Sequence, residues 1–150
     1  MCDLKAGLVV STVVIKNGKL LMVQEGKAPA KGCWNLPSGR LESNERITEG
    51  AIRETFEETG YSVSLIGLTG IYIFDSETGT RLIRFNFKGE VIGGEPVYNH
   101  EEILAVKWFD FDDVNKMDDS EIWNAKSVRE ILNDVKAEKN YSVELLRDLF

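Results

Sequence analysis

The chain predicts an α/β fold of the α+β kind, a mixed β-sheet sandwiched between helices. Three observations carry that expectation. An Asn-Gly turn at 16–19 joins two apolar runs, 6–15 and 20–24, as a hairpin. A glutamate-rich stretch, 39–61, has the periodicity of an amphipathic helix. A second amphipathic stretch, 123–137, sets Val128, Ile131, Leu132 and Val135 along one face. No linker, repeat or low-complexity tract divides residues 1–150, so one domain is expected, ending in a helix and tail over about 123–150.

Between these landmarks the elements follow in order. Residues 25–32 read as a loop, and 33–37 as a short extended segment, because the residue before a proline is pushed out of helical conformation. Ser38-Gly39 reads as a tight turn. Ser43 or Asn44 is expected to cap the central helix, with Glu45 near its positive end. Thr59-Gly60 is expected to stop it, the glycine adopting the left-handed conformation. Gly50, inside the helix, costs up to about 1 kcal/mol relative to alanine. It projects on the side of Glu54, where it either leaves room for a ligand or is a tolerated flaw. Strands are expected at 61–74, at 81–87 with a continuation through 90–92, and at 103–109. Residues 75–79 read as a turn, 93–102 as loop and 110–119 as an acidic, irregular connection. Residues 141–150 fit either a short helix or a packed tail.

Composition narrows the function. The chain carries 18 basic and 25 acidic residues, a net charge of −7, with 43% hydrophobic residues. An acidic balance argues against binding DNA or RNA polymers. No apolar run reaches the length of a membrane span and no signal-peptide pattern opens the chain, so a cytoplasmic location is expected. Cys2 and Cys33 form no metal-ligand spacing with His100 and read as free thiols. The same negative charge would repel a phosphate ligand, unless a bound divalent ion inverts the local sign.

The stretch 39–61 holds Glu42, Glu45, Glu49, Glu54, Glu57 and Glu58. At about 100° per residue, Glu57 and Glu58 fall within roughly 60° of Glu54, while Ile52 and Phe56 lie opposite as the expected core-facing stripe. Two readings stand: a water-facing acidic helix, or a divalent-cation site built of the hard oxygen ligands that magnesium requires.

Gly39, Glu45 and the run Arg53-Glu54-Thr55-Phe56-Glu57-Glu58-Thr59-Gly60-Tyr61 together resemble the Nudix box, Gx5Ex7REUxEExGU. Its seven charged and glycine positions all match over 23 residues; Thr55 and Tyr61 stand where the pattern has aliphatic packing residues. Residues 32–39 resemble the family's lead-in and 107–109 its late strand, so the resemblance spans about 6–115. It implies a Nudix-type α/β/α sandwich and a hydrolase acting on a nucleoside diphosphate linked to another group. It further implies that Glu54, Glu57, Glu58 and the Gly39 carbonyl hold Mg²⁺, with Mn²⁺ a substitute. Glu45 and Arg53 would orient the loop against the helix. In this family the general base is either a glutamate of the box or an acidic residue on a distant loop; on that loop Glu102 is the candidate here, ahead of Glu101, with His100 an adjacent titratable group.

For the substrate, Trp34 and Phe74 are candidates to stack on a base, and Arg81 and Arg84 to meet phosphate; core packing and surface ion pairs are the alternatives. Ser76, Glu77, Thr78 and Gly79 stand where ADP-ribose hydrolases of the family often carry a proline, and the wording of 36–42 resembles MutT-like members. The expectation is a nucleoside triphosphate or oxidised nucleotide as substrate. An ADP-ribose or nucleotide-sugar hydrolase, and a nucleotide-binding regulatory module, are the alternatives. Family members often dimerise, so a homodimer is also an expectation.

Overall fold

The computed structural model describes residues 2–150. Its organising strand is β1 (Ala6–Lys16), which runs parallel to β6 (Arg81–Gly94) from Ala6↔Arg81 through Val14↔Gly89. The opposite edge of β1 is shared. Ile15 and Lys16 pair with β2 (Lys19–Glu25) across a turn in which Asn17 and Gly18 both have positive φ, 53° and 76°. That pairing of dihedrals is what a tight two-residue hairpin demands. Beyond it β2 leaves β1 and pairs with β3 (Trp34–Asn35) and β7 (Ile103–Phe109). β5 (Tyr61–Asp75) pairs antiparallel with the far side of β6, with three register shifts along its length.

The departure of β2 leaves the backbone groups of Val9–Ser11 without a partner on that edge, and buried backbone polar groups need one. β4 (Ser38–Arg40) supplies it, pairing Val9↔Arg40, Val10↔Gly39 and Ser11↔Ser38. Ser38-Gly39 is therefore strand, not the expected tight turn. The correction matters because it ties the loop carrying Gly39 directly to the central strand.

Helix α1 (Ile47–Thr59) starts later than expected. Ser43-Asn44 forms a turn in which Asn44 has φ 64°, whereas a helix cap needs extended backbone; Arg46, with φ −70° and ψ 150°, takes that place. Glu49 reaches back to accept from the Arg46 amide. At the other end Gly60 adopts φ 83°, as expected.

The buried face of α1 also differs from expectation. Ile52 and Phe56 are 38% and 54% exposed, while Ala51, Thr55 and Thr59 are buried. Small residues let the helix lie close on β1, β4 and β5. The two hydroxyls are satisfied inside the helix, Thr55 Oγ1 donating to the Ala51 carbonyl and Thr59 Oγ1 to that of Thr55. Glu58 lies about 60° round the axis from Thr55. The acidic face thus borders the buried face instead of opposing it.

The other side of the sheet is covered by α2 (Phe111–Asn115), which forms within the stretch expected to be irregular, and α3 (Ala125–Lys136). Val128, Ile131, Leu132 and Val135 of α3 are buried against Val13, Leu20, Met22, Leu36 and Phe109. β1 alternates accordingly: Val13 faces this layer, and Val10 packs with Ala51, Leu68 and Phe87 on the α1 side. The result is an α/β/α sandwich with a mixed sheet. The chain's end is a packed tail with one 3-10 turn (Val143–Leu145). Tyr141 exchanges backbone hydrogen bonds with Leu68, and Val143 and Leu146 rest on the α1-side core. No described helix is long and apolar enough to cross a membrane.

The two faces predict opposite responses to truncation. Ile131→Ala is expected to lower the unfolding free energy by about 2–5 kcal/mol. Phe56→Ala should change it by less than about 1 kcal/mol. Urea unfolding of the two variants measures both.

Candidate active site

The site forms where β4, the loop after it and α1 meet. Arg53 is its electrostatic centre. The guanidinium donates to Glu45 through Nε (2.5 Å) and Nη2 (3.0 Å), to Glu54 (2.9 Å) and Glu57 (3.0 Å) through Nη1, and to the Arg40 carbonyl. Glu45 lies before the helix, and its Oε1 also accepts from the Glu42 amide, closing the loop at 42–45. Arg53 holds the Glu45 carboxyl below its usual range, and in return the guanidinium is stabilised as a cation. Gly50 serves this pair. A Cβ there would meet Leu41 at 2.8 Å and Glu45 Oε1 at 2.9 Å, so its space belongs to the loop and not to a ligand.

Glu54 and Glu58 are placed differently. Burial pushes the Glu54 carboxyl up, opposed by Arg53. Gly39 passes so close that any Cβ would collide with the Glu54 carboxylate, which is why the position requires glycine. Glu58 accepts from the Ser38 amide at 2.7 Å. Burial first, and the neighbouring Glu25 second, drive its carboxyl well above the usual range. Glu25 is raised too, again by burial before all else, and its Oε1 accepts from Asn35 Nδ2. Sequence reasoning passed over Glu25, because a glutamate at the end of a strand carries no local signal of what the fold brings beside it.

Glu102 approaches this group from the loop before β7. Gly26 donates its amide to the Glu102 carbonyl at 2.9 Å, and Lys27 Nζ donates to Glu102 Oε1 at 2.7 Å. The Glu102 charge contributes to the raised values of both Glu25 and Glu58, so the three carboxylates share one electrostatic neighbourhood. His100 lies against Tyr98 with the rings tilted by 48° and their centroids 4.7 Å apart.

Among the described residues no three acidic, histidine or cysteine side chains already stand as a ready ligand cluster. Glu54 and Glu57 turn to Arg53 instead. The donor set nevertheless fits a hard divalent cation. It consists of carboxylate oxygens, Gly39 is bare where its backbone meets Glu54, and Glu58 is held by an amide with no cation of its own. Glu57 is 55% exposed, and its close polar partner is Arg53.

A cleft of about 260 Å³ opens beside Ser38 and Gly39, walled by Pro29, Phe74, Trp123 and Asn124. Of the expected substrate contacts, Phe74 lines it. Trp34 does not; it packs edge-on against Phe109, centroids 4.8 Å apart, in the α3-side core. Arg81 is occupied at the hairpin by Asp75, 2.6 Å away. Arg84 lies at the cleft floor but is only 2% exposed, donating to Ser11, Ser127 and Asn35. Trp123 was expected only as the start of a helix. It reaches the cleft because its amide donates to the Trp34 carbonyl, while Asn124 and Glu77 clasp each other through two hydrogen bonds.

The fold and site define a protein with a group of glutamate carboxylates gathered beside an aromatic-walled cleft. The family model for the NUDIX domain matches residues 6–131, and the chain belongs to that family. Phosphatase NudJ of Shigella boydii is 29% identical over 147 residues, covering 96% of this chain and 92% of the relative. The ADP-ribose pyrophosphatase of Methanocaldococcus jannaschii is 30% identical over 115 residues, covering 76% and 68%. A solved NUDIX hydrolase from Nitrosomonas europaea superposes with a TM-score of 0.86 at 30% identity, covering 96% of this chain and 97% of that one. Of two longer relatives, one from Caenorhabditis elegans and the 8-oxo-dGDP phosphatase NUDT18 of Danio rerio, the chain spans 29% and 30% of the length.

The shifted carboxyls give a pH signature. Folded Glu58 takes up a proton that the unfolded chain, at its ordinary 4.5, does not yet hold. Stability of the protein in EDTA should therefore rise as the pH falls from neutrality toward 4.5, and Glu58→Gln should flatten that rise. Glu45 acts in the opposite sense: its pair with Arg53 stabilises above the ordinary value and is lost as the pH falls through its lowered one. Thermal melts across pH, with and without the substitution, check both signs.

Proposed function

We propose that the protein is a Mg²⁺-dependent pyrophosphohydrolase that cleaves a phosphoric anhydride in a nucleoside diphosphate linked to another group. One observation carries this reading: the carboxylates of Glu54 and Glu58 reach β4 at Gly39 and Ser38, beside an aromatic-walled cleft, with Glu57 held next to Glu54 on the same Arg53 guanidinium. Glu54, Glu57, Glu58 and the Gly39 carbonyl would hold the ion, with Mn²⁺ as a substitute. When bound, the ion neutralises the diphosphate, stabilises the leaving phosphate and makes water a better nucleophile.

The chain's own residues do the rest. Arg53 and Glu45 hold the loop and the helix in register, so the carboxylates stay on the cleft side. Glu102 is the candidate base, a carboxylate anchored through Lys27 beside Glu25 and Glu58, ready to take the proton of an attacking water. Phe74 and Trp123 offer the apolar walls between which a base would lie. Arg84 places a positive charge at the cleft floor. Burial lowers its guanidinium to about 10, so it stays a cation at neutral pH.

We favour a nucleoside triphosphate or oxidised nucleotide as substrate, supported by the lead-in at 36–42 and by the relative named for 8-oxo-dGDP, 40% identical over 102 residues. ADP-ribose is the second reading, supported by the archaeal relative's name. A panel of normal and oxidised nucleoside di- and triphosphates, nucleotide sugars and ADP-ribose, with Mg²⁺, separates the two. Release of neither phosphate nor nucleotide from any of them would overturn the enzyme reading and favour a regulatory nucleotide-binding module. With the substrate in hand, Glu102→Gln should lower kcat by about 10²–10⁴-fold if it is the base. Glu58→Gln should cost at least about a hundredfold; a Glu58→Gln enzyme as active as the parent would remove Glu58 from the metal site.

A further inference from the structure

Three charged groups, Arg84, Glu25 and Glu58, sit around Ser38, and among the described residues none of them has an ion-pair partner within 4.0 Å. Burying a charge without a direct partner is costly unless hydrogen bonds hold it. Here they form one connected path. Arg84 Nε donates to Ser11 Oγ at 2.8 Å and Nη1 to Ser127 Oγ at 3.1 Å, locking the guanidinium between β1 and α3. Its Nη2 donates to Asn35 Oδ1 at 3.4 Å. Asn35 Nδ2 donates to Glu25 Oε1 at 3.2 Å and to Ser38 Oγ at 3.1 Å. Ser38 completes the path with its amide, 2.7 Å from Glu58 Oε1.

The direction of this path follows from donor chemistry. An arginine has N–H donors and no acceptor, so it can donate only to the oxygen end of the Asn35 amide. The NH₂ end must then face Glu25 and Ser38, both of which have oxygens to offer. Asn35 itself is 5% exposed and Ser11 fully buried, so solvent has little access from which to replace a lost bond.

We propose that Arg84 is a positioning residue for the divalent-cation site: through the Asn35 amide it holds Ser38 and Glu25 in the arrangement that presents Glu58. The proposal rests on the metal-dependent reading above, but it concerns binding of the ion and not turnover. It also gives Arg84 a role other than the direct phosphate contact expected from the sequence. The Arg84 guanidinium reaches the carboxylates only through neutral intermediaries, so it orients them without neutralising any one of them as a bonded pair would.

Asn35→Ala tests it, because that substitution breaks the path at its middle and leaves every proposed ligand in place. Mn²⁺ is titrated into the nucleotide-free protein and followed by electron paramagnetic resonance, with thermal melts alongside. The expected result is at least about a tenfold weaker Mn²⁺ half-saturation. Arg84→Gln should weaken Mn²⁺ similarly; should it fail to fold, Asn35→Ala decides alone. A purely structural Asn35 would lower Tm and leave Mn²⁺ half-saturation unmoved, and that result overturns the proposal. If the wild type binds Mn²⁺, hydrolyses nothing, and Asn35→Ala still weakens binding, the activity reading fails and the positioning role stands. A wild type that binds no Mn²⁺ overturns both.

Discussion

Four glutamate side chains, Glu42, Glu45, Glu54 and Glu57, converge on the single guanidinium of Arg53. The rest of the site depends on this concentration of charge. One cation among four carboxylates leaves the cluster electronegative, which a solvated helix face tolerates at a few tenths of a kcal/mol per like pair but a half-buried one does not. Burial pushes Glu58 up, and Glu54 too in spite of its bond to Arg53, while Glu45, which takes two bonds from Arg53, is pulled down. Arg53 thus divides the glutamates into a structural one and a group held in excess, and an excess of hard oxygens is what a divalent cation relieves.

The second constraint is the split in the sheet. β2 stays with β1 only at the hairpin and then turns to β3 and β7, so β4 fits against Val9–Ser11. That insertion brings Gly39 against Glu54 and Ser38 against Glu58. Beside it lies a polar interior of Ser11, Asn35 and Arg84, all buried. The cleft lies over this polar seam, and its aromatic walls come from Phe74 of β5 and from Trp123, just before α3. The two sides of the region therefore differ: the α1 side carries the carboxylates, and Phe74 and Trp123 give the cleft its apolar surface.

Much of this was legible along the chain. The hairpin, the Gly60 stop, the α3 stripe and the strand before Phe109 follow from local rules of turn, cap and period, which act over a few residues. The expected stripe of Ile52 and Phe56 was not found, because periodicity measures which residues share a face and not which face meets the sheet. Small Ala51, Thr55 and Thr59 won that contest by allowing closer approach. The Ser43 or Asn44 cap gave way for a similar reason: Glu45 is drawn out of the helix to meet Arg53, and the residues before it turn to let it.

The spacing of Gly39, Glu45, Arg53, Glu54, Glu57 and Glu58 is a property of the chain alone, and so is the chemistry of hard oxygens that it implies. Helical geometry sets Glu54, Glu57 and Glu58 on one side of α1, while Gly39 and Glu45 lie outside the helix. Only tertiary structure decided which way the face points and which groups from elsewhere complete it. Glu25, Asn35, Arg84, Glu102 and Trp123 come from five separate segments, and nothing local in any of them signals the others. They meet because β1 pairs at once with β2, β4 and β6, and burial then gives charges at long sequence separation an energy they would not have in water.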